Sequence, residues 1–148
     1  MEARKSYKSF EFKISICWQR AFRGLMTRAG HQEVAIGSPP EFKGDPDVWC
    51  PEELLIGSVS TCLMLTFLSY SERRKLTVLG YESEAVGIVE NLDGKYRITR
   101  ITLQPQITLE SEADKALAEN TLEDAKEGCF ISNSITARVE LAPQFVVE

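Results

Sequence analysis

Over residues 54–71 the chain runs for 18 residues, LLIGSVSTCLMLTFLSYS, without a charged side chain, and few folds accommodate such a stretch. Pro51 stands where a first helical residue would. Glu52 and Glu53 follow in the first turn, where the positive end of the helix dipole favours acids, so one long helix is predicted over 51–75. Its length would suit a membrane span, but Gly57, Ser58, Ser60, Thr61, Thr66, Ser69 and Ser71 interrupt the apolar surface, and a buried central helix is the expectation. Being apolar nearly all round, it needs cover on several sides, from sheets or from a partner chain.

The flanking sequence supplies strands. Phe10, Phe12, Ile14, Ile16 and Trp18 alternate with Glu11, Lys13, Ser15 and Cys17, the period of a half-buried strand, and 33–36 reads as a short second one. Glycine- and proline-rich segments around Gly37-Ser38-Pro39-Pro40 and Gly44-Asp45-Pro46 form a long connection. Segments 81–90 and 95–109 read as two strands joined at Asp93-Gly94 in an antiparallel meander, with Ile101, Leu103, Ile107 and Leu109 on one face. Ser111 and Asp114 resemble a capping box opening a helix to about Lys126, with Gly128 as its stop. Ile135, Ala137, Val139 and Leu141 then alternate as a last strand. The order is that of an α+β fold, an antiparallel sheet wrapped around the central helix, and 148 residues predict a single domain over 1–148.

The net charge of -5 argues against a nucleic-acid partner, which would require a basic face. Arg73, Arg74 and Lys75 form the one tight basic run and read as a solvated helix end. No apolar segment follows the charged first ten residues, so no secretory signal or membrane anchor is expected and the protein is read as cytoplasmic. The four cysteines, at 17, 50, 62 and 129, show no zinc-ligand spacing, and His31 is the single histidine, so no metal or other cofactor is expected. Cys62 in the long helix and Cys129 just past the second helix stand in distinctive settings. The residues alone leave open whether they are reactive thiols or small packed hydrophobes.

The segment PEELLIGSVSTCLMLTFL, with an acid directly after proline and a cysteine ten residues further on, is followed much later by AKEGCFISNSI. With IGSPPEFKG before them and the hairpin YESEAVGIVENLDGKYRITRITL between them, these motifs resemble, in kind and order, the OsmC/Ohr family of osmotically inducible and organic hydroperoxide resistance proteins. The resemblance extends from about Trp18 to Leu141. It implies an intertwined homodimer with sheets around central helices, and a thiol peroxidase acting on organic hydroperoxides. Cys62 would be the peroxidatic cysteine and Cys129 the resolving one, joined in a disulfide after a sulfenic acid. Glu52 matches the family's glutamate after proline. An arginine from the early strands would complete the site, with Arg23 the best match and Arg28 and Arg20 behind it. A dithiol reductant such as a lipoylated protein is the implied partner.

The chain departs from the family's pattern in two places. Phe130 follows the second cysteine where proline is common, which leaves a backbone N–H free to donate. Cys50, directly before the long helix, is a second candidate for the redox role, since a helix N-terminus acidifies a thiol. On a single helix Glu52 and Cys62 would lie about 15 Å apart along the axis and about 80° apart around it, so a shared arginine calls for composite sites across a twofold dimer. Leu63, Met64, Phe67 and Phe130 would wall the site and favour apolar peroxides. The alternative readings are a non-enzymatic OsmC-like protein that binds a small apolar ligand or senses oxidation, and a structural dimer with inert thiols.

Overall fold

The computed structural model describes residues 7–148, so the beginning of the stretch read for a targeting signal lies outside it. The chain divides into two compact units, Met1–Pro51 and Glu52–Glu148.

In the first unit β1 (Ser15–Arg20), β2 (Arg23–Thr27) and β3 (Val34–Gly37) form an antiparallel sheet in chain order. β3 falls where the short strand is expected. β1 begins at Ser15, however, so Phe10, Phe12 and Ile14 precede it, and none of its residues is half-buried: Ile16 and Trp18 are exposed together with Cys17. Alternation marked a strand, but a covered face requires another element packed on it, and within the first unit these residues have none. The Trp18 indole donates to the Ala21 carbonyl at 2.9 Å across the β1–β2 turn. Beyond β3 the connection contains a 3-10 turn at Pro40–Phe42 and returns to the sheet at Trp49, whose amide donates to Ala35.

The second unit begins within α1 (Pro51–Arg73) and continues through β4 (Val78–Leu92), β5 (Lys95–Leu109), α2 (Lys115–Gly128), β6 (Arg138–Leu141) and β7 (Gln144–Val147). Leu92 pairs with Lys95, and the intervening Asp93 and Gly94 have φ of 53° and 83°, the left-handed pair that a two-residue hairpin turn demands. The Asn91 side chain adds a hydrogen bond from the Gly94 amide at 2.9 Å. The fold is α+β, but the sheet is mixed and not a pure antiparallel meander. β6 and β7 both pair with β5 in parallel, and β7 was not expected. The chain reaches β6 by way of α2, the kind of long crossover that parallel pairing needs. Pro105, which lacks an N–H, lies where β6 has stopped pairing at Leu103 and β7 has yet to begin at Gln106.

The apolar face of β5 is buried as its pattern predicts, with Ile101, Leu103, Ile107 and Leu109 fully enclosed. They share a core with Val59, Leu63 and Phe67 of α1 and with Ala118, Leu122 and Ala125 of α2. α1 is therefore a core helix along one stripe only, Val59, Leu63, Phe67 and Ser71, while Leu65 and Leu68 remain exposed. A helix apolar all round offers no period from which its inner face could be chosen, and one chain covers a single side. Among the described residues α1 is the one helix long and apolar enough to cross a membrane by length and composition, yet its stripe belongs to this core.

Both helix ends depart from the simplest reading. The Ser111 hydroxyl accepts from the Ala113 amide at 3.2 Å and heads a 3-10 turn, without the reciprocal Asp114 bond of a capping box, and α2 proper starts at Lys115. At the end of α1, Lys75 adopts φ 56° while the amides of Lys75 and Leu76 donate to Glu72 and Ser71, a Schellman closure with Leu76 in the core. The basic run is more than a solvated end. Arg73 and Arg74 lie over the Tyr70 ring, and Arg74 bonds the Thr121 hydroxyl at 3.0 Å and Asp124 at 2.5 Å, tying α1 to α2.

Candidate active site

Cys62 sits midway along α1, half-buried beside the core stripe. Cys129 follows the last residue of α2 in an extended conformation, φ -72° and ψ 114°, and is fully buried. A tight turn then fixes it. The Asn133 amide donates to the Cys129 carbonyl at 3.0 Å, the Ser134 amide to the Ile131 carbonyl at 3.0 Å, and the Asn133 side chain to the Glu127 carbonyl at 2.9 Å. Two segments far apart in sequence thereby bring Cys62 and Cys129 near one another, each thiol acting on the other's ionisation. Both are free thiols.

The surroundings of the two sulfurs differ. Burial pushes the Cys62 thiol up, but hydrogen bonds from Cys129, the Ile131 amide, the Thr66 hydroxyl and the Phe130 amide outweigh it, and the thiol lies below its ordinary value. Thr66 is one helical turn along, its oxygen 4.0 Å from the sulfur. Burial also dominates at Cys129, where the neighbouring Cys62 sulfur adds to it, and the Ser132 hydroxyl and amide only partly offset them, so this thiol lies above its ordinary value. The pair is thus poised as one better nucleophile and one reluctant thiol.

The other expected site residues occupy separate places. Glu52 lies in the first turn of α1, with its Oε2 buried and without a hydrogen-bond partner among the described residues. Arg23, on β2, is ion-paired through Nη1 to Asp45 Oδ2 at 2.5 Å. The Asp47 amide, and after it the Arg23 guanidinium, hold Asp45 below the usual carboxylate range against its partial desolvation. Arg28 reaches His31 Nδ1 at 2.9 Å, and Arg20 adds to the positive field at Asp45. Cys50 is buried at the end of the first unit, and Cys17 is exposed on β1.

The expected apolar wall is half lost. Leu63 and Phe67 are sealed in the core, Phe67 against Tyr81 with ring centres 5.9 Å apart, and neither can touch a substrate. Phe130 is 79% exposed and Leu65, three residues beyond Cys62, is 57% exposed. Thr66, Ile131 and Ser132 were not singled out from the sequence for any role at the sulfurs. The one signal for Thr66 was its spacing of four from Cys62 on a helix, and the other two act through a turn that no local pattern announces.

The model of the OsmC-like protein family matches residues 44–143 of the chain and crosses the boundary between its two units. An uncharacterized protein of Bacillus subtilis, YmaD, is 31% identical over 116 residues, covering 76% of this chain and 77% of its own. Among solved structures, an OsmC-like protein of unknown function from Vibrio cholerae aligns with a TM-score of 0.85 at 25% identity, over 91% of this chain and 99% of its own. An organic hydroperoxide resistance protein from Elizabethkingia anophelis aligns with a TM-score of 0.73 at 17% identity, over 95% of this chain and 100% of its own, and shares the fold.

Proposed function

The chain belongs to the OsmC-like protein family, and from that premise we propose that it is a thiol-dependent peroxidase that reduces organic hydroperoxides through Cys62 and Cys129. The Cys62 thiolate attacks the terminal peroxide oxygen, the O–O bond breaks, and the alkoxide leaves and takes a proton to become the alcohol. Cys62 is then a sulfenic acid. Cys129 attacks its sulfur, expelling hydroxide that is protonated to water, and a Cys62–Cys129 disulfide forms. A dithiol reductant, with a lipoylated protein as the suggested source, returns both thiols. The observation that carries this reading is the pairing of two free thiols near one another, a half-buried Cys62 on α1 that lies below its ordinary value and a fully buried Cys129 after α2 that lies above it.

Glu52 and Arg23 complete the proposal. A guanidinium about 4 Å from the sulfur would contribute on the order of 4 kcal/mol toward the thiolate at an effective dielectric near 20, before desolvation. Glu52 would hold that fork by a bidentate pair, and its unpartnered Oε2 is consistent with a group still to be received. Because α1 carries Glu52 and Cys62 about 15 Å apart along its axis, the arginine and glutamate serving one Cys62 are assigned to a second copy in a twofold homodimer. Arg28 and Arg20 are the alternatives to Arg23. The two units are read as parts of one OsmC-like domain, working in the cytoplasm, with no metal or bound cofactor assigned.

Stopped-flow oxidation of the reduced protein, with thiols counted at the end, tests the function. Cumene hydroperoxide should consume two thiols per chain, Cys62→Ser should consume none rapidly, and Cys129→Ser should stop at a sulfenic acid that over-oxidises in excess peroxide. Peroxide reactivity retained in Cys62→Ser would sink the assignment. Negligible rates with cumene hydroperoxide and hydrogen peroxide alike would favour a ligand-binding or oxidation-sensing role.

A further inference from the structure

We propose that Asp45 is a positioning residue for Arg23, its carboxylate anchoring Nη1 so that the guanidinium is presented in one orientation to the Cys62 that it serves. The inference rests on the assignment of Arg23 to that cysteine. The anchor is built by the loop after β3. Arg23 stands opposite Gly37 in the β2–β3 register, and the loop is fastened to this sheet at both ends. The Ser38 amide donates to the carbonyl of Phe22, next to Arg23, at 3.1 Å, and the Trp49 amide returns to Ala35 at 3.2 Å. Between them the Gly44 amide donates to the Pro39 carbonyl at 3.0 Å and folds the loop back just ahead of Asp45. Asp45 Oδ1 then accepts from the Asp47 amide at 2.8 Å, an Asx turn that fixes the carboxylate, and Oδ2 meets Arg23 Nη1 at 2.5 Å.

A surface ion pair ordinarily holds little, because two side chains must be ordered to make it. Here the carboxylate is ordered beforehand by its own backbone, and only the arginine has rotamer freedom to lose. A guanidinium is a rigid plane with five N–H donors, so holding it at its stem and at Nη1 leaves it little freedom. Asp45 takes one donor, a bidentate Glu52 would take two more, and two are left for the sulfur or the leaving oxygen. The direction of the effect separates this role from one of charge alone. A carboxylate beside the arginine weakens its field at the sulfur, so a residue acting only by charge would, when neutralised, favour the thiolate. A residue that holds the arginine in place does the opposite: without it the thiolate loses its partner.

The test follows iodoacetamide alkylation of reduced protein against pH, read at Cys62 by peptide mass, with no peroxide present and with the neighbouring Cys129 intact throughout. Asp45→Asn keeps an oxygen for the Asp47 amide and removes the carboxylate. It should move the midpoint up by about one pH unit, a roughly tenfold loss of thiolate at neutral pH. Arg23→Ala should also move it up, and adding Asp45→Asn to Arg23→Ala should change nothing further, since Asp45 acts only through the arginine. An unchanged or lowered midpoint in Asp45→Asn overturns the proposal, as does a shift that persists in the Arg23→Ala background or an Arg23→Ala midpoint equal to that of the wild type. If Asp45→Asn does not fold, Asp45→Ser, whose hydroxyl can still accept from the Asp47 amide, carries the same comparison. Because the readout needs no peroxide, the expected shifts in a protein that fails to turn over hydroperoxides would retain the role of Asp45 and remove only the peroxidase reading. Turnover of hydroperoxides with no shift in Asp45→Asn would do the reverse.

Discussion

A buried hydroxyl without a partner loses its hydrogen bonds to water and gains nothing in return, and Tyr81 is in that position. Its OH has no partner among the described residues, its ring packs on Phe67, and burial pushes its pKa up to about 12, so it stays protonated through the physiological range. Removing the oxygen while keeping the ring should be neutral or stabilise the fold by up to ~1 kcal/mol, in contrast to the usual loss from a core substitution. Urea unfolding of Tyr81→Phe checks this; a loss well beyond that size would mean that the hydroxyl is paired in solution. No sequence pattern separates such a tyrosine from one with a satisfied hydroxyl. The cysteines were different, because the spacing of Cys62 after Glu52 and of Cys129 after the second helix carried the family resemblance. Leu63 and Phe67 were misplaced as substrate contacts for a physical reason: on a helix apolar all round, adjacency to Cys62 says nothing about which side faces the sheet.

At the scale of elements, the helices and long strands were legible from period and turn chemistry, whereas the partner of each strand was not. Parallel pairing of β6 and β7 with β5 depends on where the chain emerges from α2, and alternation within 135–141 carries no trace of that. Gly128 makes the same point for a helix end. It was expected as a stop, and α2 does end there, but its φ is not among the positive ones. What requires glycine is the α1–α2 contact, since a Cβ at 128 would lie 2.3 Å from the Tyr70 hydroxyl oxygen, and the ring beneath it is overlaid by Arg73 and Arg74. Gly128→Ala should therefore destabilise by about 1–3 kcal/mol, the cost of overpacking, and should also disturb the neighbouring Cys129. In a double-mutant cycle Tyr70→Phe, which removes the clashing oxygen, should recover part of that loss. Strict additivity of the two substitutions, measured by urea midpoints, would place the origin of the glycine elsewhere.

At the scale of the whole molecule, the two features that dominated the sequence both leave apolar groups in the open. Phe10, Phe12, Ile14, Ile16 and Trp18 keep their alternating stripe exposed, and Leu65 and Leu68 stay exposed on the helix that was expected to be enclosed. Apolar surface on this scale favours association, and a second copy of the chain is the cover already implied by the distance between Glu52 and Cys62 on α1. Light scattering should accordingly give twice the chain mass at micromolar concentration. The sharper consequence concerns activity. If the arginine serving each Cys62 comes from the other copy, a Cys62→Ser chain and an Arg23→Ala chain are each inactive as homodimers, yet their heterodimer retains one complete site. Its turnover should approach about half that of the wild-type dimer, because one of two symmetric sites has both residues. No recovery in purified heterodimers would move the arginine into the same chain as its cysteine or replace Arg23. Repeating the mixture with Arg28→Ala and Arg20→Ala separates those outcomes, since only the arginine that works across the interface gives inactive homodimers and an active hybrid.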